Sequence, residues 1–175
     1  MSAPLTEKYN DIEAVKSKFL KKVEGLTHEQ LNKIPADGGW SAGQTLYHCA
    51  FAESGTILVI NNNLAENKIH QKSDIGSVFR NIMLVIFLKL PLKFKAPKQV
   101  SKVPDTITIE ELKKYFDKNS AAFKKILNDL PVELEDKFIF KHPRSGLFSI
   151  TQTLNFVREH YLHHERQLDG LLQKI

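Results

Sequence analysis

A single cysteine, Cys49, stands among 175 residues, so no disulfide can form within the chain and nothing calls for an oxidising compartment. Long apolar runs are missing too. The longest, Ile82-Met-Leu-Val-Ile-Phe-Leu88, falls far short of the roughly 20 residues that span a bilayer. The N-terminus, Met-Ser-Ala-Pro-Leu-Thr-Glu-Lys, has no apolar stretch of the kind a signal peptide uses, and the expectation is a cytoplasmic protein. The sequence contains no glycine-rich loop to cradle phosphates, no Cys-x-x-Cys pair and no nucleophile elbow. Nucleotide hydrolysis through a phosphate loop, thioredoxin-like redox chemistry and serine hydrolase chemistry therefore lose their usual signatures.

Acidic residues are scarce in one place. From residue 67 to residue 102 there are eight Lys or Arg and one acid, a net charge of +7, whereas the remainder has 17 basic and 19 acidic residues. The overall +5 thus belongs to one segment rather than to the whole chain. Aromatic residues in that segment are limited to Phe79, Phe87 and Phe94, too few for base stacking, and no nucleic-acid partner is expected.

What is present is a set of well-marked helix starts. Thr27-His-Glu-Gln30, Ser41-Ala-Gly-Gln44, Thr108-Ile-Glu-Glu111 and Ser149-Ile-Thr-Gln152 each fit a capping box, in which a hydroxyl and a Gln or Glu three residues on satisfy each other's backbone N–H groups. The first opens a short helix, and the other three open long ones. Tyr9, Ile12, Val15, Phe19 and Val23 recur at helical spacing and predict a further helix near the N-terminus. Four principal helices follow, at about 6–24, 41–64, 108–130 and 149–174. One domain over 1–175 is expected, an all-α four-helix bundle with a long insertion, about 67–105, between the second and third helices. Lys137-Phe-Ile-Phe-Lys141 reads as a short strand or ordered loop. The apolar run at 82–88 reads as a helix packed on the bundle. The alternative is a membrane-surface element with Lys89, Lys93, Lys95 and Lys98 facing anionic headgroups.

Histidines carry the chemistry. On the last helix His160 lies about 40° from His164, one turn away, and both fall within the apolar stripe of Ile150, Leu154, Val157, Tyr161, Leu168, Leu171 and Ile175. His163, about 100° from His164, falls on the flank, while Arg158, Glu159, Glu165 and Arg166 point well away. One inward imidazole is commonly a hydrogen-bonded core residue. Two at this spacing each need a polar partner, and a shared divalent ion satisfies both. A third ligand is offered by His48 on the second helix, whose same-face neighbours Ala52 and Gly55 leave room for a close helix or a pocket; a core histidine bonded to a carbonyl is the plain alternative. Three histidines on two helices with a coordination position to spare would make an open, catalytic-type site.

Other residues weigh less. Cys49 reads as core filler, and Gln167 as either a hydrogen-bond partner that orients a ligand imidazole or a solvated flank. His142, before a proline, lines a pocket mouth or is inert, and His28 and His70 read as surface positions.

Trp40-Ser41 followed by His48, and His160-x-x-x-His164-x-x-Gln167, resemble the DinB/YfiT-like superfamily of small four-helix metal-binding bundles. The His142-Pro143-x-x-Gly146 turn and the doubled histidine are most similar to an uncharacterised branch of DinB-like proteins. The resemblance implies a divalent metal such as zinc or nickel held by one histidine of the second helix and two of the fourth, here His48, His160 and His164. It also implies chemistry of the kind its characterised members perform, which includes transfer to low-molecular-weight thiols. The expected function is a metal-dependent enzyme acting on a small molecule, a thiol-dependent S-transferase or a hydrolase. The alternative is a non-catalytic, metal-stabilised bundle serving as an interaction or stress-response module. A homodimer is compatible with the apolar surface of the second helix.

Overall fold

A computed structural model describes residues 1–36, 38–68, 70–72, 75–90 and 102–174, with the backbone alone for 70–72. Lys93, Phe94, Lys95 and Lys98, and the side chain of His70, lie outside the described residues. In chain order the elements are α1 (Ala3–Lys21), α2 (His28–Asn32), α3 (Ala42–Ala65), β1 (His70–Lys72), α4 (Ile75–Lys89), α5 (Ile109–Asp129), β2 (Lys137–Phe138), β3 (Phe140–His142), β4 (Gly146–Phe148) and α6 (Ile150–Leu172).

The bundle consists of α1, α3, α5 and α6. Helix α3 packs on α5 and α6, and α1 packs on α6 and α5, which closes the ring. Each contributes a stripe to the common core: Leu5, Tyr9, Ile12 and Phe19 from α1, Leu46, Ala50, Ile57 and Ile60 from α3, Leu112, Phe116 and Phe123 from α5, and Ile150, Leu154, Val157 and Leu168 from α6. Steps of three and four residues keep these side chains on one face. All four capping boxes form with both reciprocal bonds, so the starts of α2, α3, α5 and α6 are set by local chemistry. At the N-terminus Pro4 lies in the first turn, and α1 begins and ends a few residues earlier than apolar spacing alone suggests.

A polar clamp crosses this core. Lys16 of α1 donates to Glu53 of α3 (3.2 Å) and to Ser120 of α5 (2.6 Å), and the hydroxyl of Tyr161 on α6 donates to Glu53 (2.7 Å). Asn119 of α5 donates to Glu53 as well (3.2 Å) and to the carbonyl of Ala50 (2.7 Å). Four helices thus share one buried carboxylate. Burial pushes the Glu53 carboxyl up, against the opposing pull of Lys16 and Tyr161. Glu53 lies little more than a turn past His48, and Tyr161 adjoins His160, so the clamp holds α3 and α6 in register beside the histidines.

The insertion holds the fifth long helix. Helix α4 packs along α6 as expected, and the face it turns inward is mixed: Ser77 and Asn81 are buried along with Leu88, and Leu84 packs partly buried against the core. Gln152 donates to the Ser77 hydroxyl (3.1 Å), and Asn81 donates to the Gln152 carbonyl (3.1 Å). Ile75, Val78, Phe79, Ile82 and Ile86 face outward and are exposed.

The 137–141 stretch is extended, as two short strands. β2 pairs with β1, and β3 pairs antiparallel with β4 through Phe140–Phe148, Lys141–Leu147 and His142–Gly146. Gly146 has φ of 80°, which closes the turn at a conformation that favours glycine.

Candidate metal centre

His48 projects from the second turn of α3, because the Ser41–Gln44 box fixes where that helix begins. His160 and His164 project from α6, one turn apart, towards it. Ring centroids of His48 lie 5.3 Å from His160 and 4.8 Å from His164, and those of His160 and His164 lie 4.7 Å apart. The three rings stand steeply to one another, at 61° to 82°. Each offers a nitrogen, and these atoms all lie within 4.8 Å of one another. Tetrahedral ligation with nitrogens about 2.1 Å from an ion separates them by about 3.4 Å, which small side-chain rotations reach. The residues fit a divalent metal.

Protonation state favours the same use. Burial pushes His164 down to about 3, with the neighbouring His48 and His163 adding to the effect. Burial and the surrounding imidazoles hold His160 well below the ordinary value. Neutral imidazoles are the ligand form.

The surroundings orient the rings. Trp40 lies against His48 with centroids 4.6 Å apart, and Phe156 lies 5.6 Å from His160. The Nδ1–H of His164 donates to the side-chain carbonyl of Gln167 (2.8 Å), which leaves Nε2 for a metal. Among the described residues, one side stays open. His160 is half-buried, Ala52 is half-buried, and a Cβ built on Gly55 meets nothing within 4 Å. The small residues near His48 therefore leave space rather than admit a close helix.

A model of the DinB superfamily matches residues 11–168. The chain belongs to the DinB superfamily. No curated protein matches the sequence. Among solved structures it is similar to YfiT from Bacillus subtilis, with a TM-score of 0.66 and 18% identity over 99% of this chain and 89% of that one. YfiT is described as "a probable metal-dependent hydrolase with an unusual four-helix bundle topology". At that identity the likeness establishes the fold, a DinB-type bundle.

Within this DinB bundle the remaining candidates fall as follows. Cys49 is fully buried in the core, where burial pushes its thiol well up, and it does not join the cluster. His142 is also apart from the cluster. It is buried beside Phe156 (4.6 Å between centroids) and Phe148, its Nδ1 accepts from the backbone N–H of Arg144 and Ser145, and burial pushes it down to about 4. It braces the turn before α6. His28 is exposed.

Helix periodicity misplaced three neighbours. His163 is buried rather than marginal, and Glu159 and Glu165 are buried rather than pointing into solvent. The reason is that α6 is covered on both flanks. Helix α4 packs along the side that carries His163 and Glu159, while Lys18 of α1 and Lys22, just past its end, pair with Glu165 at 3.2 and 2.8 Å. Burial would raise the Glu165 carboxyl, but the two lysines hold it below its usual value.

Proposed function

We propose that the protein is a metal-dependent enzyme that acts on a small molecule, with His48, His160 and His164 as metal ligands and hydrolysis as its reaction. The observation that carries this reading is the convergence of three imidazoles from two helices beside an open flank. Closed structural sites use four protein ligands, whereas three histidines leave a position for water or substrate. A divalent ion bound there supplies Lewis acidity, which activates a water or a thiol near neutral pH. Zinc and nickel both suit a set of imidazoles.

The protein's own residues do the rest. Trp40 and Phe156 wall the imidazoles and exclude water from one side, and Gln167 keeps the ligating nitrogen of His164 free of hydrogen. Substrate reaches the site over the Ala52–Gly55 side, where among the described residues nothing lies within 4 Å of a Cβ built on Gly55. The description of YfiT supports hydrolysis over transfer to a thiol, which the same activation would also serve.

A second reading, a metal-stabilised interaction module, draws on the outward apolar stripe of α4. Assay of zinc- and nickel-loaded protein against small esters, amides and low-molecular-weight thiol acceptors separates these readings. Turnover that vanishes on chelation and in His164→Ala, with helix content retained, is the expected result. Metal binding without turnover of any substrate class would favour the module.

A further inference from the structure

We propose that His163 and Gln167 are positioning residues that tie the metal centre to the C-terminal end of α4. This rests on the three-histidine reading above and concerns residues that reading does not use as ligands. One atom in this cluster has a fixed role. The carbonyl of Leu88 can only accept a hydrogen bond, and Nδ1 of His163 lies 2.8 Å from it. Nδ1 of His163 therefore carries the hydrogen, and Nε2 of the neutral ring is left as an acceptor.

The side-chain amide of Gln167 lies 2.9 Å from that Nε2 and must donate to it. Its amide oxygen then faces Nδ1 of His164, at 2.8 Å, and can only accept. The ring of His164 is thereby fixed with Nδ1 protonated and Nε2 bare. One carbonyl on α4 sets the direction of three successive hydrogen bonds, and the last of them selects the ligating nitrogen.

The connection has meaning for α4 as well. The last four carbonyls of a helix have no partner within it, and Leu88 is the penultimate residue of α4. His163 and Arg166, both from α6, donate to that carbonyl, Arg166 at 2.6 Å. The helix that bears two of the metal ligands thus caps the insertion helix. Loading the site draws electron density from the His164 ring, strengthens its Nδ1–H as a donor and polarises the chain as far as Leu88. By linkage, docking of α4 raises metal affinity by the factor with which metal favours docking.

The test uses the full chain and zinc. Zinc affinity is measured by competition with a chelator, and hydrogen exchange of the α4 amides is followed with and without zinc, in wild type, Gln167→Met, His163→Phe and the double variant. Gln167 is exposed, so its replacement keeps the fold even if the buried His163→Phe does not. Each single variant is expected to bind zinc roughly 10-fold more weakly. The double variant is expected to lose little more than either single, because both cut one chain. Zinc should slow exchange at the C-terminal end of α4 in wild type and cease to do so in the variants. A packing role alone would lower stability without moving these readouts.

Unchanged affinity in Gln167→Met would overturn the positioning role. Weaker affinity with an undiminished response of α4 would overturn the tie to α4. A wild type that binds no zinc would refute the three-histidine reading itself, and is told apart because the wild-type titration alone is then flat.

Discussion

Burial of His164 and His142 makes the protein's stability a function of pH. The two rings are pushed from 6.5 down to about 3 and about 4. Above about pH 6.5 the folded and unfolded chains both carry them neutral. Below it the unfolded chain takes up protons that the folded chain refuses, so stability falls as pH drops from 6.5 towards these values. Metal-free protein should therefore unfold at a lower urea concentration at about pH 5 than at about pH 8. Equal midpoints would mean that the rings are not held neutral in the interior. A second residue-scale effect is steric. A Cβ on Gly43, at the start of α3, would lie 2.7 Å from Cγ2 of Ile107 and 3.2 Å from Cγ of Leu31. Gly43→Ala should cost about 1–3 kcal/mol in a denaturation series, and a neutral result would mean that α2 and the segment around Ile107 can retreat from α3 at no cost.

Helix α6 shows which features of an element its own sequence reveals. Its start was legible because a capping box is a local bargain between Ser149 and Gln152, four residues that need no tertiary partner. Removing the hydroxyl in Ser149→Ala should cost about 1 kcal/mol, read as a shift in the urea midpoint. The pairing of His160 with His164 was legible for a similar reason, since helical spacing fixes their relative direction. The burial of His163, Glu159 and Glu165 was not, because it depends on α4 and α1 lying along the flanks. A hydropathy wheel sees one apolar stripe. It cannot see that a second helix presents Ser77 and Asn81, beside Leu84 and Leu88, to the first. The bond from Leu88 to His163 was hidden likewise, as it joins residues 75 positions apart, whereas Gln167, three residues past His164, was legible as a candidate partner for that imidazole.

At the scale of the molecule, one buried carboxylate holds four helices. Glu53 receives Lys16, Asn119 and Tyr161, and its loss would strand the Lys16 ammonium in the core with Glu13 as its remaining carboxylate. Glu53→Ala should destabilise the metal-free protein by about 3–5 kcal/mol, and a cost below about 1 kcal/mol would show that the clamp is not what fixes the bundle's register. The identity of the fold was legible from a handful of positions, Trp40, His48, His160, His164 and Gln167, because they recur in order across nearly the whole bundle. The clamp was not, since Lys16 and Asn119 read as polar residues on amphipathic helices until the facing helices supply Glu53.

The proposed metal centre depends on three imidazoles sharing one ion. Elemental analysis of protein purified without an affinity tag, wild type beside His160→Ala, tests this directly. About one divalent metal ion per wild-type chain and almost none in the variant is the expected result, with helix content unchanged. Equal metal content in the two proteins, or none in either after incubation with zinc and nickel, would contradict it.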